Sequence, residues 1–317
     1  MKYGLLKYSR SRNLGDRIQS LAAKQYLPQV DYYLDRDFLT DLTFKEEIKV
    51  IMNGWFMAEP QNWPPPDFIK PLFVSFHITQ DYQANEKLMN PESIAYFKKH
   101  QPIGCRDFYT RDLLQKQGVD AYYSACLTMT IPNQYMHLPK TDEIIFMDVL
   151  YKTRKNSRDI SGKFKKRWLI KKIFPENLLG KAIILNQDTD KKSNEEERFL
   201  QAEKLLERYA RAKLVVTSRI HCALPCLALG TPVIFINGDL EQLTDTTRFH
   251  GVLEYLNVYS TDALQKNYPG TLAGFFDKSS YTNPLNIDWE NPPANPQKHL
   301  EVVEKLKKRC REFINSN

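Results

Sequence analysis

Long apolar runs are missing from this chain. No stretch approaches the roughly 18–20 apolar residues that cross a bilayer, so no membrane-spanning helix is expected. The first residues, Met1-Lys-Tyr-Gly-Leu-Leu-Lys-Tyr8, hold no extended apolar segment and no small-residue cleavage site, so they do not read as a secretory signal. A cytoplasmic location is the resulting expectation. Glycine is scarce, at 12 of 317 residues, and forms no glycine-rich nucleotide loop. No repeat of about 20–50 residues recurs, which excludes a solenoid. The five cysteines (Cys105, Cys126, Cys222, Cys226 and Cys310) are odd in number and scattered, which suits free thiols in a reducing compartment. Cys222 and Cys226 share a helical face, but no further ligands accompany them at metal-site spacing. They read as buried structural thiols, and no metal is expected.

What remains is a globular chain long enough for two domains. Its formal net charge of +7 favours anionic partners: phosphorylated substrates, a membrane surface or nucleic acid. No recognisable DNA- or RNA-binding motif is present, so nucleic acid is not expected.

Apolar runs alternate with helical patterns, the signature of an α/β fold with parallel sheets. Lys2–Tyr8, Ile48–Met52 and Leu72–Phe76 read as strands, with a short one at Ile103–Arg106. Asp16 is a candidate N-cap for a helix from Arg17 to Tyr26. Helices are also expected at Pro91–His100 and at Thr110–Gln117, the latter closed by Gly118. The turn-rich stretch Pro132–Asp142 marks a boundary, giving an N-terminal α/β domain over 1–138 and a C-terminal one over 139–317. The second half reads as strands at Glu143–Leu150, Lys181–Leu185, Lys213–Thr217 and Pro232–Asn237. Helices follow at Glu195–Ala210, up to Leu229, and over the amphipathic Pro296–Ile314. Two such halves enclose a cleft, and ligands of open α/β sheets sit beyond the carboxyl ends of strands.

The segment Thr217-Ser-Arg-Ile-His-Cys-Ala-Leu-Pro225 lies at such an end. Proline is tolerated in the first helical turn, so Pro225 predicts a helix start near His221 or Cys222. Arg219 and His221 then stand at the junction, beside outward-pointing N–H groups that favour an anion. Arg219 offers a guanidinium fork, and His221 a group that moves a proton or donates a hydrogen bond. An ordinary βαβ turn with a structural Arg and His is the alternative.

Ala212–Ile234, with its Arg219-Ile-His221 core, resembles the corresponding segment of the polysaccharide pyruvyltransferase family. Ile103-Gly-Cys-Arg-Asp-Phe-Tyr-Thr110 and Asn13-Leu-Gly-Asp16, with Gln19, are similar to two further motifs of that family, in the same order. The resemblance spans roughly residues 1–237 and implies two Rossmann-like domains facing a cleft, as in GT-B glycosyltransferases. It implies phosphoenolpyruvate as co-substrate, no other cofactor, and a pyruvate ketal formed on a sugar hydroxyl pair of a surface-polysaccharide precursor. His221, Arg219 and Arg106 are then the catalytic candidates. Ser218, Ile220, Cys222, Asn13, Gly15 and Asp16 are expected around the donor. Asp107, Arg248, His250 and His77 are weaker candidates for the acceptor side, with structural or solvated roles as alternatives. Where the family often has a glycine-rich turn after the second strand, this chain departs from it with Asn53-Gly-Trp-Phe-Met57.

The stretch 154–173 is basic, with Arg154, Lys155, Arg158, Lys163, Lys165, Lys166, Arg167, Lys171 and Lys172 around Phe164, Trp168 and Leu169. A peripheral contact with an anionic membrane suits it, as does a charged helix packed by its apolar side. Such a contact would fit a lipid-linked acceptor. Two other functions remain open at this stage: a nucleotide-sugar glycosyltransferase of the same architecture, and a non-catalytic membrane-associated binder.

Overall fold

A computed structural model describes residues 1–317 except 154–155, 157, 191, 239–246, 272, 274–280 and 317. Arg154 and Lys155 of the basic stretch lie outside the described residues.

The first half runs β1 (Lys2–Lys7), α1 (Leu14–Lys24), β2 (Tyr32–Asp35), β3 (Ile48–Phe56), β4 (Ile69–Ile78), α2 (Tyr82–Leu88), α3 (Pro91–Lys99), β5 (Ile103–Cys105), α4 (Phe108–Lys116) and β6 (Ala121–Tyr123). Its strands form a six-stranded parallel sheet in the order β2-β1-β3-β4-β5-β6. The second half runs β7 (Ile144–Met147), α5 (Ile160–Ile173), α6 (Glu176–Lys181), β8 (Ala182–Leu185), α7 (Glu195–Arg211), β9 (Leu214–Thr217), α8 (Ile220–Leu229), β10 (Val233–Asn237), β11 (Asn257–Ser260), α9 (Asp262–Lys266) and a C-terminal helix (Leu300–Asn315). Its sheet is five-stranded and parallel, in the order β11-β10-β9-β7-β8. The α/β expectation is met.

The central strands of both sheets are buried on both faces, and the two-residue period of a strand sorts their side chains. Leu5 and Ile51 point to one apolar cluster, while Leu6, Val50 and Met52 point to another. Met147, Val215 and Phe235 join that same first cluster, while Phe146, Val216 and Ile236 face a third. The first cluster is therefore shared by the two sheets. It is filled from α1 by Ile18 and Ala22, from α7 by Phe199 and Leu206, and from α8 by Leu224 and Leu227. The C-terminal helix also enters it through Val303, Leu306 and Cys310. Although it follows the second half in sequence, this helix returns to the first. The buried Lys49 ammonium of β3 donates to the Phe313 carbonyl at 2.8 Å and to Ser316 Oγ at 3.1 Å. A cation at a helix carboxyl end is favourably placed against the helix dipole.

Several boundaries differ from the sequence reading. Helix α1 begins at Leu14, because Asn13 Oδ1 accepts the Gly15 N–H at 3.0 Å; the N-cap is Asn13, and Asp16 lies in the first turn. Helix α4 begins at Phe108, because Asp107 caps it by accepting the Thr110 N–H at 2.8 Å. Strand β3 continues through Asn53-Gly54 to Phe56. A register shift there, with Gly54 at φ 116°, absorbs what looked like a strand end. Strand β7 stops at Met147, because Asp148 and Leu150 adopt positive φ angles of 48° and 51°. After Arg248 the chain makes a single 3₁₀ turn, Val252–Tyr255.

Candidate active site

The carboxyl ends of the two sheets face one cavity of about 350 Å³, lined from both halves. The first half contributes Arg10, Ser11, Asn13, Asp16, Arg36, Trp55, Ala58 and Arg106. The second contributes Gln187, Arg219, Ile220, His221 and Arg248. Four lie within two residues of a strand end: Arg36 after β2, Arg106 after β5, Gln187 after β8 and Arg219 after β9.

The three sequence motifs meet here. Gly15 backs onto His221 so closely that an added Cβ would lie 2.9 Å from the His221 Cβ; a glycine is required for α1 to approach α8 at this point. The Gln19 amide joins the first motif to the second. Its Oε1 accepts from Arg106 Nη1 at 3.3 Å, and its Nε2 donates to Asp16 Oδ1 at 3.1 Å. Ser11 Oγ donates to the other oxygen of Asp16. Loops from the two halves are laced together behind the cavity. Leu14 N donates to the Gln187 carbonyl at 2.7 Å, and Thr189 N to the Arg12 carbonyl at 2.8 Å. The fully buried Arg17 of α1 forms a two-pronged pair with Glu195 of α7, at 2.9 Å on each prong.

The local conformation of α8 explains His221. Arg219 is the extended N-cap, at φ −103° and ψ 123°, and His221 sits at a kink, at φ −82° and ψ 16°. Pro225 has no N–H to give to the His221 carbonyl four residues earlier. That carbonyl accepts instead from Gln187 Nε2 at 3.0 Å. The start expected near His221 or Cys222 falls at Ile220, with the His221 kink inside the helix, so Pro225 lies in the second turn and not the first, and it frees one carbonyl of the first turn.

The arginines differ in how they are held. Arg36 pairs with buried Asp37 at 2.6 Å and lies over the rings of Tyr8 and Trp55. Arg10 pairs with Glu59. Arg219 Nε donates to Asp148 Oδ2 at 2.9 Å, while its guanidinium carbon stands 3.9 Å from the centre of the Tyr151 ring. Arg248 Nη2 reaches the Tyr151 hydroxyl at 3.5 Å. Arg106 is 2% exposed, with no carboxylate within salt-bridge reach and its Nε without a partner, among the described residues.

His221 is 8% exposed and its Nε2 also lacks a hydrogen-bond partner among the described residues. Burial first, then the charges of Arg106, Arg248 and Arg219 and the neighbouring His77, push its pKa well below the usual histidine range. The free protein therefore holds a neutral imidazole among guanidinium groups.

Of the residues expected here, Asn13, Asp16, Arg106, Arg219, Ile220, His221 and Arg248 line the cavity, and Gly15 supports it. Ser218 turns inward. Its Oγ donates to the Ile236 carbonyl at 2.6 Å and accepts from Leu150 N at 2.9 Å, so it ties strands together. Cys222 is fully buried in the core cluster, as are Cys226 and Tyr209 around it. His77 and Asp107 form a fully buried pair at 2.5 Å behind the cavity, and His250 is exposed. Gln187, Arg36, Arg10 and Trp55 were not anticipated. Each is a solitary residue at a strand end or in a loop, outside the three motifs.

Helix α5 buries Trp168, Leu169 and Ile173 against the outer cluster of the second sheet, and Trp168 meets Tyr268 edge-on at 5.5 Å. The tryptophan is thus packed inward, while Lys163, Arg167 and Lys171 remain exposed. No helix among the described residues is long and apolar enough to cross a membrane.

Comparison with known proteins places this geometry in a family. No curated protein matches the chain. Among solved structures, an uncharacterized protein from Klebsiella pneumoniae is similar over 82% of this chain and 92% of its own, at 13% identity and a TM-score of 0.46. The family model for polysaccharide pyruvyl transferase matches residues 13–239, a span that contains all three motifs around the cavity. The chain belongs to the polysaccharide pyruvyl transferase family.

Proposed function

We propose that this protein transfers the enolpyruvyl group of phosphoenolpyruvate to a pair of sugar hydroxyls, forming a pyruvate ketal on a surface-polysaccharide precursor and releasing phosphate. One observation carries this reading: the buried Arg106 cation, its Nε unmatched, faces the same cavity as the neutral His221 with its Nε2 unmatched. A small, densely anionic ligand is what such a pair lacks. The carboxylate and phosphate of phosphoenolpyruvate supply acceptors for Arg106 and Arg219, and Arg248 extends the same wall.

The reaction then uses the shift on His221. In the free protein the arginines oppose a second positive charge. A bound polyanion reverses that field, so donor binding favours the imidazolium. The proton it carries goes to the methylene carbon of the donor, making the central carbon electrophilic. One sugar hydroxyl adds to that carbon, and the bond to the phosphate oxygen breaks with its electrons leaving on phosphate. The second hydroxyl closes the ketal. Of the two protons lost by the diol, one balances that placed on carbon and the other leaves with phosphate. Asp16, held by Ser11 and Gln19, is positioned to receive the first. The arginines stabilise the departing charge.

In this reading the chain divides near residues 138 and 139 into two Rossmann-like domains of GT-B type. A lipid-linked acceptor fits an electrostatic contact between an anionic membrane surface and the exposed lysines of α5. The test is to incubate the protein with phosphoenolpyruvate and a panel of methyl hexopyranosides and follow inorganic phosphate. Acceptor-dependent phosphate release is expected. Turnover of nucleotide sugars with nucleotide release, and none of phosphoenolpyruvate, would overturn the reading in favour of a glycosyltransferase.

A further inference from the structure

The Gln187 amide carries information that the arginines do not. Its side chain is fully buried, at 0% exposure, yet it lines the cavity. Its orientation is fixed by what it touches. The His221 carbonyl, left free by Pro225, only accepts, so the nitrogen of the amide must face it, as it does at 3.0 Å. Turning the amide over would set oxygen against oxygen. The backbone on either side is held as well: Gln187 N donates to Asp148 Oδ2 at 3.0 Å, and the Gln187 carbonyl accepts from Leu14 N at 2.7 Å. Oε1 is therefore an acceptor that cannot exchange places with Nε2, and it has no hydrogen-bond partner among the described residues.

A buried acceptor of this kind calls for a donor. Phosphoenolpyruvate does not provide one, since its ionised carboxylate and phosphate accept hydrogen bonds. A sugar hydroxyl donates. We propose that Gln187 binds the acceptor, its Oε1 receiving a hydrogen bond from one of the two hydroxyls that enter the ketal and setting that oxygen beside His221. This rests on the pyruvyl-transfer reading and adds to it a residue that reads the acceptor and not the donor. The chain of causes is local: Pro225 frees a carbonyl, the carbonyl orients an amide, and the amide is left with one unmatched oxygen in the cavity wall.

The experiment separates the two substrates kinetically. Wild type, Gln187→Met and Gln187→Glu are compared with the methyl hexopyranoside that gives the fastest phosphate release, varying donor and acceptor in turn. Methionine keeps the length without an acceptor oxygen; glutamate, which burial and the facing His221 carbonyl keep protonated, keeps a donor to that carbonyl and an oxygen at that place. For Gln187→Met the acceptor KM rises roughly tenfold, as for a lost buried hydrogen bond, while the phosphoenolpyruvate KM stays within about twofold. Gln187→Glu recovers part of the acceptor KM. A thermal melt with and without phosphoenolpyruvate verifies that each variant is folded and still binds donor. An unchanged acceptor KM in Gln187→Met, or an equal rise in both KM values, overturns the assignment. Absence of phosphate release by wild type with every glycoside refutes pyruvyl transfer itself, a different and recognisable failure.

Discussion

Replacing Arg106 with methionine should make the free protein more stable and nearly blind to phosphoenolpyruvate. Arg106 is 2% exposed, and among the described residues its side chain has one hydrogen bond, to the neutral Gln19 amide at 3.3 Å. A buried ion without a counter-charge costs several kcal/mol, and apolar replacement of buried charges stabilises by ~1–4 kcal/mol. Loss of the Gln19 hydrogen bond takes back about 1 kcal/mol, so a net gain of ~2 kcal/mol is expected. For a chain of 317 residues, an unfolding entropy of about 2.1 cal/mol/K per residue converts this to a melting-temperature rise of ~3 °C. Donor binding moves the other way. Two charge-assisted hydrogen bonds at ~1.5–3 kcal/mol each correspond to a roughly 10²- to 10⁴-fold weaker Kd. With phosphoenolpyruvate at about 100 times the wild-type Kd, the ligand stabilises wild type by ~2.7 kcal/mol, or about 4 °C. At the same concentration the variant gains less than about 1 °C. Differential scanning calorimetry on both proteins, with and without donor, measures all four values. A variant that melts lower than wild type and keeps the full donor-induced rise would refute the idea that Arg106 is an uncompensated cation reserved for an anion.

Three further outcomes follow from the same geometry. His221→Gln should lower kcat by at least about 100-fold with a much smaller change in donor affinity, read by single-turnover phosphate release; equal losses in both would make His221 a binding group only. Because the folded-state pKa of His221 is depressed, its contribution to stability is complete above the unfolded value of roughly 6.5 and is lost as pH falls from there toward the folded value. Denaturant titrations from pH 7.5 to 5.5 should therefore fall more steeply for wild type than for His221→Gln, by up to about 1.4 kcal/mol per pH unit, and parallel curves would contradict the shift. Pro225→Ala restores an N–H that competes with Gln187 for the His221 carbonyl. It should leave stability unchanged or raise it by up to about 3 kcal/mol while reducing kcat, and a variant with undiminished turnover would show that the kink has no part in the chemistry.

Much of this molecule is written in local patterns. Apolar runs identified most of the longer strands, because a strand of a doubly covered sheet sends apolar side chains to a cluster on each face, as Ile145 and Phe146 do. The short strands β2 and β6 carry too few apolar residues to form such a run. Arg106, Arg219, His221 and Asn13 were legible because each follows a strand end inside a recognisable motif. Ser218 and Cys222 face away from the cavity: Ser218, ahead of the Arg219 N-cap, donates to the Ile236 carbonyl, and Cys222 falls on the core side of α8. Gln187 and Arg36 could not be found by motif at all. Their importance comes from contacts across long sequence separations, such as Gln187 with His221, and no local pattern encodes those. Trp168 looked suited to a membrane because its helix is basic, but the same residue faces the outer core cluster.

The central claim is that phosphoenolpyruvate sits between the two halves, on Arg106, Arg219 and His221. A crystal structure with phosphoenolpyruvate bound tests it most directly. The donor is expected in the cavity with its anionic oxygens within about 3 Å of the Arg106 and Arg219 guanidinium groups and its methylene carbon turned toward His221 Nε2. Donor bound elsewhere, with Arg106 Nε and His221 Nε2 still unmatched, would contradict it.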